Sequence, residues 1–474
     1  MGKKKLLILL ISLAVVLLVT PLGVIVVQKK MDAAKEQKKI DELNATTFAS
    51  YGEYEIFQKV PLLIGKNATY NEAEEFGGKS YGIDVHDTTF EEYQAYLKVL
   101  EKNGFDKQVD NGKEGLEGYV YTSHYLKDDL LVSATHFPNE NWTVIEASEN
   151  TALSEHLFYD ESYVADNIPG AKTTFHLQEL YSAGNSFIFQ LKNGNFILND
   201  GGNADELPYL LDYLEKLAPN GQKPVIEAWF VSHSHIDHVG VFKELMSNRD
   251  YIDRIIVEGV YFTEISEEAG EFTLQYDNMT MTDGYVTKVP RLLKNSEGKA
   301  PTVYRCRMGE KYYFNDITID VVYSHYLIPG NQWNTGNGAS TWLMYTIEGQ
   351  KVLITGDGEW DNMQVVMGIY DKKYFDLTLY QVPHHGASVW QEFTDYLGKI
   401  RTFVMPSYNV DSVGAGLGEL QNEYLRSVAE EGYAFGSGTV VFEFPYTIGS
   451  AKTLAPTEWI YHTKVPERYR TEEK

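Results

Sequence analysis

Residues 231–240 read Val-Ser-His-Ser-His-Ile-Asp-His-Val-Gly, directly after the largely apolar run Val225-Ile226-Glu227-Ala228-Trp229-Phe230. No other stretch limits the fold as tightly. The apolar run is a buried strand, and the pattern Val241-Phe242-Lys243-Glu244-Leu245-Met246 after the loop is helical. A buried strand feeding a loop and then a helix belongs to a layered α/β architecture. The loop itself carries three imidazoles and one carboxylate: His233, His235, Asp237 and His238. Imidazole and carboxylate together suit Zn²⁺, and also Mn²⁺ or Fe²⁺. A tight loop at the C-terminal end of a strand can turn His233 and His235 toward one ion and Asp237 and His238 toward a second. Strand ends are where α/β sheets place their ligands.

Two distant segments carry the same chemistry. Val352-Leu353-Ile354-Thr355-Gly356-Asp357-Gly358 is an apolar strand ending in an acid between glycines. One carboxylate can bridge two metals lying about 4 Å apart. Leu379-Tyr380-Gln381-Val382-Pro383-His384-His385-Gly386 is another apolar strand, ending in paired histidines. Five of the 12 histidines therefore fall in two loops, each just past a buried strand, which scattered core or surface histidines would not produce. No nucleophilic serine motif or glycine-rich nucleotide loop competes for the chemistry.

The ordered segments HSHIDH, TGDG and PHHGAS resemble the motifs of the metallo-β-lactamase superfamily, and Asp200-Gly201-Gly202 matches its upstream aspartate motif. The resemblance runs from roughly Ala171 to Phe444. VPHHGAS and the GASTWLMY…GQKVLITGD run are similar to the subgroup that includes the metallohydrolase domain of ComEC DNA-uptake proteins, and to phosphorylcholine esterases acting on teichoic acid. The resemblance implies an αββα sandwich with two divalent ions, zinc or alternatively manganese, at one edge. It implies His233 and His235 on the first ion, Asp237 and His238 on the second, and Asp357 as the bridge. One of His384 and His385 would complete the second position and the other would stabilise the transition state. Adjacent residues at a strand end point in opposite directions, so both assignments stay open. Asp237, His384 and His385 are the catalytic candidates. One departure stands out: residues 334–340 read NTGNGAS, with Asn334 or Asn337 where many members supply a histidine. His325 lies well upstream and is expected to be structural or to line a pocket.

The rest of the chain adds context. Lys3, Lys4 and Lys5 precede 22 uncharged residues, Leu6 to Val27. As a helix they would span ~33 Å, enough for a bilayer core of about 30 Å. Residues 1–30 are therefore expected to be a single-pass membrane anchor with an extracellular catalytic domain, and residues 31–60 a linker. Residues 61–150 read as a small α+β domain: a strand at 79–87, a capping box at Thr88…Glu91, a helix ending at Gly104, then three strands. Residues 165–465 form the hydrolase domain. The single cysteine, Cys306, excludes a disulfide framework and Cys-rich zinc modules. A formal charge of −26 disfavours a nucleic-acid partner. The expected function is hydrolysis of phosphoester bonds by a metal-activated hydroxide, with a cell-envelope polymer as substrate. A competence-type nuclease and a non-catalytic scaffold are the alternatives.

Overall fold

The computed structural model describes residues 55–61, 63, 69–75, 80–110, 115–149, 151–164, 166–181, 184–262, 284–324, 337–407, 419–435 and 438–455, together with Lys35. The expected anchor, His325, Asn334 and residues 456–465 lie outside them. Among the described residues no helix is long and apolar enough to cross a membrane.

The first unit is an antiparallel sheet of six strands: β1 (Thr69–Glu75), β2 (Ser80–His86), β3 (Asp106–Asp110), β4 (Tyr121–Lys127), β5 (Leu130–Phe137) and β6 (Trp142–Ser148), in the order β1-β2-β6-β5-β4-β3. Helix α1 (Phe90–Lys102) covers one face, burying Tyr93, Tyr96, Leu97 and Leu100 against Ile83, Val85, Val132 and Ile145. Its capping box lies one residue beyond the expected one. Thr89 Oγ1 accepts from Glu92 N and the Glu92 carboxylate accepts from Thr89 N. Thr88 instead turns inward to Thr143 Oγ1 at 2.8 Å, a buried contact that a surface cap could not make. β1 and β3 were not anticipated; both are polar edge strands, whose composition resembles that of loops.

The second unit has two facing sheets. One contains β7 (Thr174–Leu177), β8 (Ser186–Gln190), β9 (Phe196–Asp200), β10 (Val225–Val231), β11 (Ile256–Phe262), β12 (Thr302–Arg305), β20 (Val440–Glu443) and β21 (Lys452–Thr453), ordered β12-β11-β10-β9-β8-β7-β20-β21. The other runs in sequence order through β13 (Lys311–Phe314), β14 (Ile317–Tyr323), β15 (Trp342–Ile347), β16 (Gln350–Ile354), β17 (Leu377–Gln381), β18 (Ile400–Met405) and β19 (Ala429–Ala434). Alternation along each strand sorts side chains between layers. In β10, Ala228 and Phe230 enter the core between the sheets, while Trp229 and Val231 face outward. In β16, Val352 and Ile354 face inward and Leu353 outward. Phe189 stacks on Tyr345 across the layers, with ring centroids 4.1 Å apart.

Helices α2 (Leu207–Leu217) and α3 (Ile236–Ser247) cover the first sheet through Leu210, Leu214, Val241 and Leu245. Past the short α4 (Arg249–Ile252) and α5 (Gly284–Leu292), helices α6 (Trp360–Ile369) and α7 (Gln391–Leu397) cover the second sheet through Met363, Val366, Phe393 and Leu397. Helix–sheet–sheet–helix is the layering the resemblance implied. Parallel pairs β9–β10, β16–β17 and β17–β18 point the C-terminal ends of their strands to one edge, which brings residues distant in sequence together.

Candidate metal centre

Each functional side chain stands just past a strand. Asp200 ends β9; Ser232 and His233 follow β10; His235 caps the N-terminus of α3, whose first turn holds Asp237 and His238; Asp357 follows β16; His384 and His385 follow β17. The loops bend sharply. Gly356 has φ +55°, and a Cβ there would lie 2.9 Å from Ser340 Oγ and 3.0 Å from Ser232 Cβ, so only glycine fits.

The structure brings six of the seven predicted residues together in two groups. Ligand atoms of Asp237, His238, Asp357 and His385 converge, and so do those of His233, His235 and Asp357. Asp357 belongs to both. In the first group, His385 Nε2 is 2.9 Å from Asp237 Oδ2 and 3.3 Å from Asp357 Oδ2, and His238 Nε2 is 3.2 Å from Asp357 Oδ1. In the second, His233 Nε2 lies 3.0 Å from His235 Nδ1 and 3.9 Å from Asp357 Oδ2. His384 belongs to neither; its ring is 36% exposed and its Nε2 stands 3.8 Å from Asp357 Oδ2. The question left open at the His384-His385 pair thus has a geometric answer: His385 turns into the cluster and His384 stays at its mouth.

The cluster fits divalent cations. His238 Nε2, Asp357 Oδ1 and His385 Nε2 are buried and make no hydrogen bond, although they face one another. Buried polar atoms without partners are costly, and a shared cation satisfies them together. The local field also favours positive charge. Burial alone would hold His385 down, yet the Asp357 and Asp237 carboxylates outweigh it and push the imidazole up to about 9. Burial opposes charge on His238 as well, but Asp357, Asp237 and Asp200 raise it well above its ordinary value. Burial would raise Asp357, and His238 and His385 instead hold its carboxyl well below the carboxylate range. His233 behaves oppositely: burial and then the neighbouring imidazoles His238 and His235 keep it neutral, the form in which imidazole ligates a metal.

Around the cluster lies a set of orienting groups that sequence reasoning did not assign. Asp200 accepts from Ser232 N at 2.7 Å, from Ser232 Oγ at 2.7 Å and from His238 Nδ1 at 2.9 Å. That fixes the His238 tautomer and aims Nε2 inward. Ser340 Oγ lies 3.2 Å from His233 Nδ1 and accepts from Asp357 N at 3.0 Å. It therefore holds one candidate ligand of the second group and the shared carboxylate at once. Asn337, an expected stand-in for the missing histidine, instead donates to Glu359 Oε1 at 3.2 Å. The GAS segment carried a signal for Ser340: a small hydroxyl residue just before a buried strand. Trp390, five residues past His385, is 46% exposed and packs on Trp360, three residues past Asp357, with ring centroids 5.1 Å apart.

No protein-family model matches the chain, and a comparison with curated proteins finds no match. Solved structures do show a likeness. The metallo-beta-lactamase fold protein YhfI from Bacillus subtilis is 12% identical at a TM-score of 0.35, covering 57% of this chain and 99% of its own. Zn²⁺-bound PqqB from Methylobacterium extorquens is 9% identical at a TM-score of 0.33, covering 56% of this chain and 99% of its own. A Cronobacter sakazakii metallo-beta-lactamase with a HARLDQ motif is 15% identical at a TM-score of 0.22, and this chain spans only 55% of its length. Superpositions this loose carry no argument about ligand or reaction, which rest on the side chains themselves.

Proposed function

We propose that this chain is a metal-dependent hydrolase of the metallo-β-lactamase superfamily that cleaves phosphoester bonds, tethered to a membrane by residues 1–30. The observation that supports this reading most is the sharing of Asp357 by two converging ligand groups. His233, His235 and Asp357 would hold one divalent ion; Asp237, His238, His385 and Asp357 would hold the other. Ions bound there acidify water toward neutral pH and neutralise charge on phosphoryl oxygens. The chain's own groups do the remaining work. Asp200 and Ser340 lock the imidazoles in place, Asp237 stands at the accessible edge of the cluster to accept a proton, and His384 faces the mouth, where it can donate a hydrogen bond to a substrate oxygen. Trp360 and Trp390 offer a ring surface to the organic part of the substrate.

A cell-envelope polymer is the favoured substrate, since an anchored domain outside the membrane would meet one. A nuclease would bring polyphosphate to a chain of charge −26, with no Lys or Arg in 352–371 or 374–398 around the mouth. A scaffold that had abandoned catalysis has no use for six clustered ligands. The test is hydrolysis of bis-p-nitrophenyl phosphate by wild type, His235→Ala and Asp357→Ala, with and without chelator. The expected result is turnover lost in both variants and on chelation. Turnover insensitive to all three would refute the reading.

A further inference from the structure

A cavity lined by none of the metal-centre residues lies where the small unit meets the sandwich. Its volume is about 630 Å³, and its walls come from β3 and β4 on one side and from β13 and the connector near residue 158 on the other. Junctions between units are favoured places for small-molecule sites, which typically occupy roughly 300–1,000 Å³.

One wall is aromatic. Tyr159 is 68% exposed and meets Tyr313 edge to face at 5.7 Å, and Phe158 beside it is 48% exposed. Large rings left this open in a connector offer flat apolar faces to solvent. The facing wall is polar: Gln108 and Asp110 from β3, with His124 and Glu310 at the base. The charges on that wall are already matched within the protein. Asp110 pairs with Lys107 at 2.8 Å, Glu310 with Arg307 at 3.7 Å, and Lys311 with Asp320 at 3.4 Å. A charged ligand would have to break one of these pairs. A phosphate in particular would face Asp110 and Glu310 while Lys311 is engaged elsewhere. What fits instead is an uncharged molecule with apolar ring faces and hydroxyls around its edge.

We propose that this cavity binds a short neutral oligosaccharide, its pyranose faces against Tyr159, Tyr313 and Phe158 and its hydroxyls on Gln108 and Asp110. Binding here is separate from hydrolysis and does not depend on the metal centre being active.

Isothermal titration of the full chain with maltotriose and with chitotriose, before and after chelation, tests it. Saturable binding of one of these sugars is expected, unchanged by chelator and about tenfold weaker in Tyr159→Ala, the loss of one stacked ring. Gln108→Trp, which places a bulky ring at the mouth, should abolish binding. Both positions are at least partly exposed, so the variants should match wild type by circular dichroism. No binding of either sugar, binding indifferent to both substitutions, or binding that vanishes on chelation would overturn the proposal. So would tighter binding of cytidine monophosphate than of either sugar.

Discussion

Asp200, His384 and His385 all adopt left-handed backbone conformations, with φ of 60°, 51° and 53°. For residues other than glycine such conformations cost about 1–3 kcal/mol each and persist only where the surroundings hold them. At Asp200 the hold is visible in the three hydrogen bonds its carboxylate accepts. Asp200→Ala should therefore leave His238 free to rotate and weaken metal retention about 10–100-fold. Competition against a fluorescent chelator measures this, and unchanged affinity would remove Asp200 from the account. Two histidines far from the cluster set an acid limit on stability. Burial holds His136 down to about 4 and His176 to about 3. Each folded value lies below the unfolded one, so the stabilisation is present above about pH 6.5 and is lost as pH falls toward the folded values. The slope is ~1.4 kcal/mol per pH unit for each histidine in that window. Urea midpoints at pH 7 and pH 5 should show it, and His136→Gln should flatten it; an unaltered slope would assign the acid sensitivity to other groups.

At the scale of elements, the buried strands and the loops after them were readable from the chain because each is a short apolar run that ends in an abrupt break in hydrophobicity. Val225–Val231 and Gln350–Ile354 both appear with their expected ligands just beyond them. Elements that escaped notice lack that contrast: Asp106–Asp110 is almost wholly polar, and Thr302–Arg305 has one fully apolar residue. The contacts that orient the ligands escaped for a different reason, although Asp200 itself stood out by its motif. Ser340 and Asp200 act through contacts between residues 107 and 38 positions apart, and no local pattern records such distances. The tight turn after β16 yields a prediction of its own. Gly356→Ala combines a positive φ with contacts at 2.9–3.0 Å, so it should destabilise the fold by more than about 1 kcal/mol and displace Asp357. Thermal melting combined with metal content checks both effects; a variant with unchanged stability and full metal would show the turn to be permissive.

Across the whole molecule, the small unit is fastened to the sandwich rather than merely strung before it. Glu146 on β6 accepts from Arg305 Nη1 at 2.6 Å and from Arg307 Nε at 3.0 Å, all three being buried. Phe137, Trp142 and Val144 pack into the same cluster as Met363 and Val366 of α6. Removing one partner of a buried ion pair leaves uncompensated charge, so Glu146→Ala should cost about 3–5 kcal/mol. Guanidinium unfolding would register this as a lower midpoint, and a change below about 1 kcal/mol would place the contact among those that surface pairs resemble. α6 begins three residues after Asp357, so the docked unit braces the helix that follows the shared ligand. The central claim, that two ligand groups meet on one carboxylate, is tested most directly by metal stoichiometry. Elemental analysis of wild type and Asp357→Ala should give about two divalent transition-metal ions per chain in the first and a loss of both in the second. Wild type free of transition metal after loading, or Asp357→Ala retaining the full complement, would contradict it.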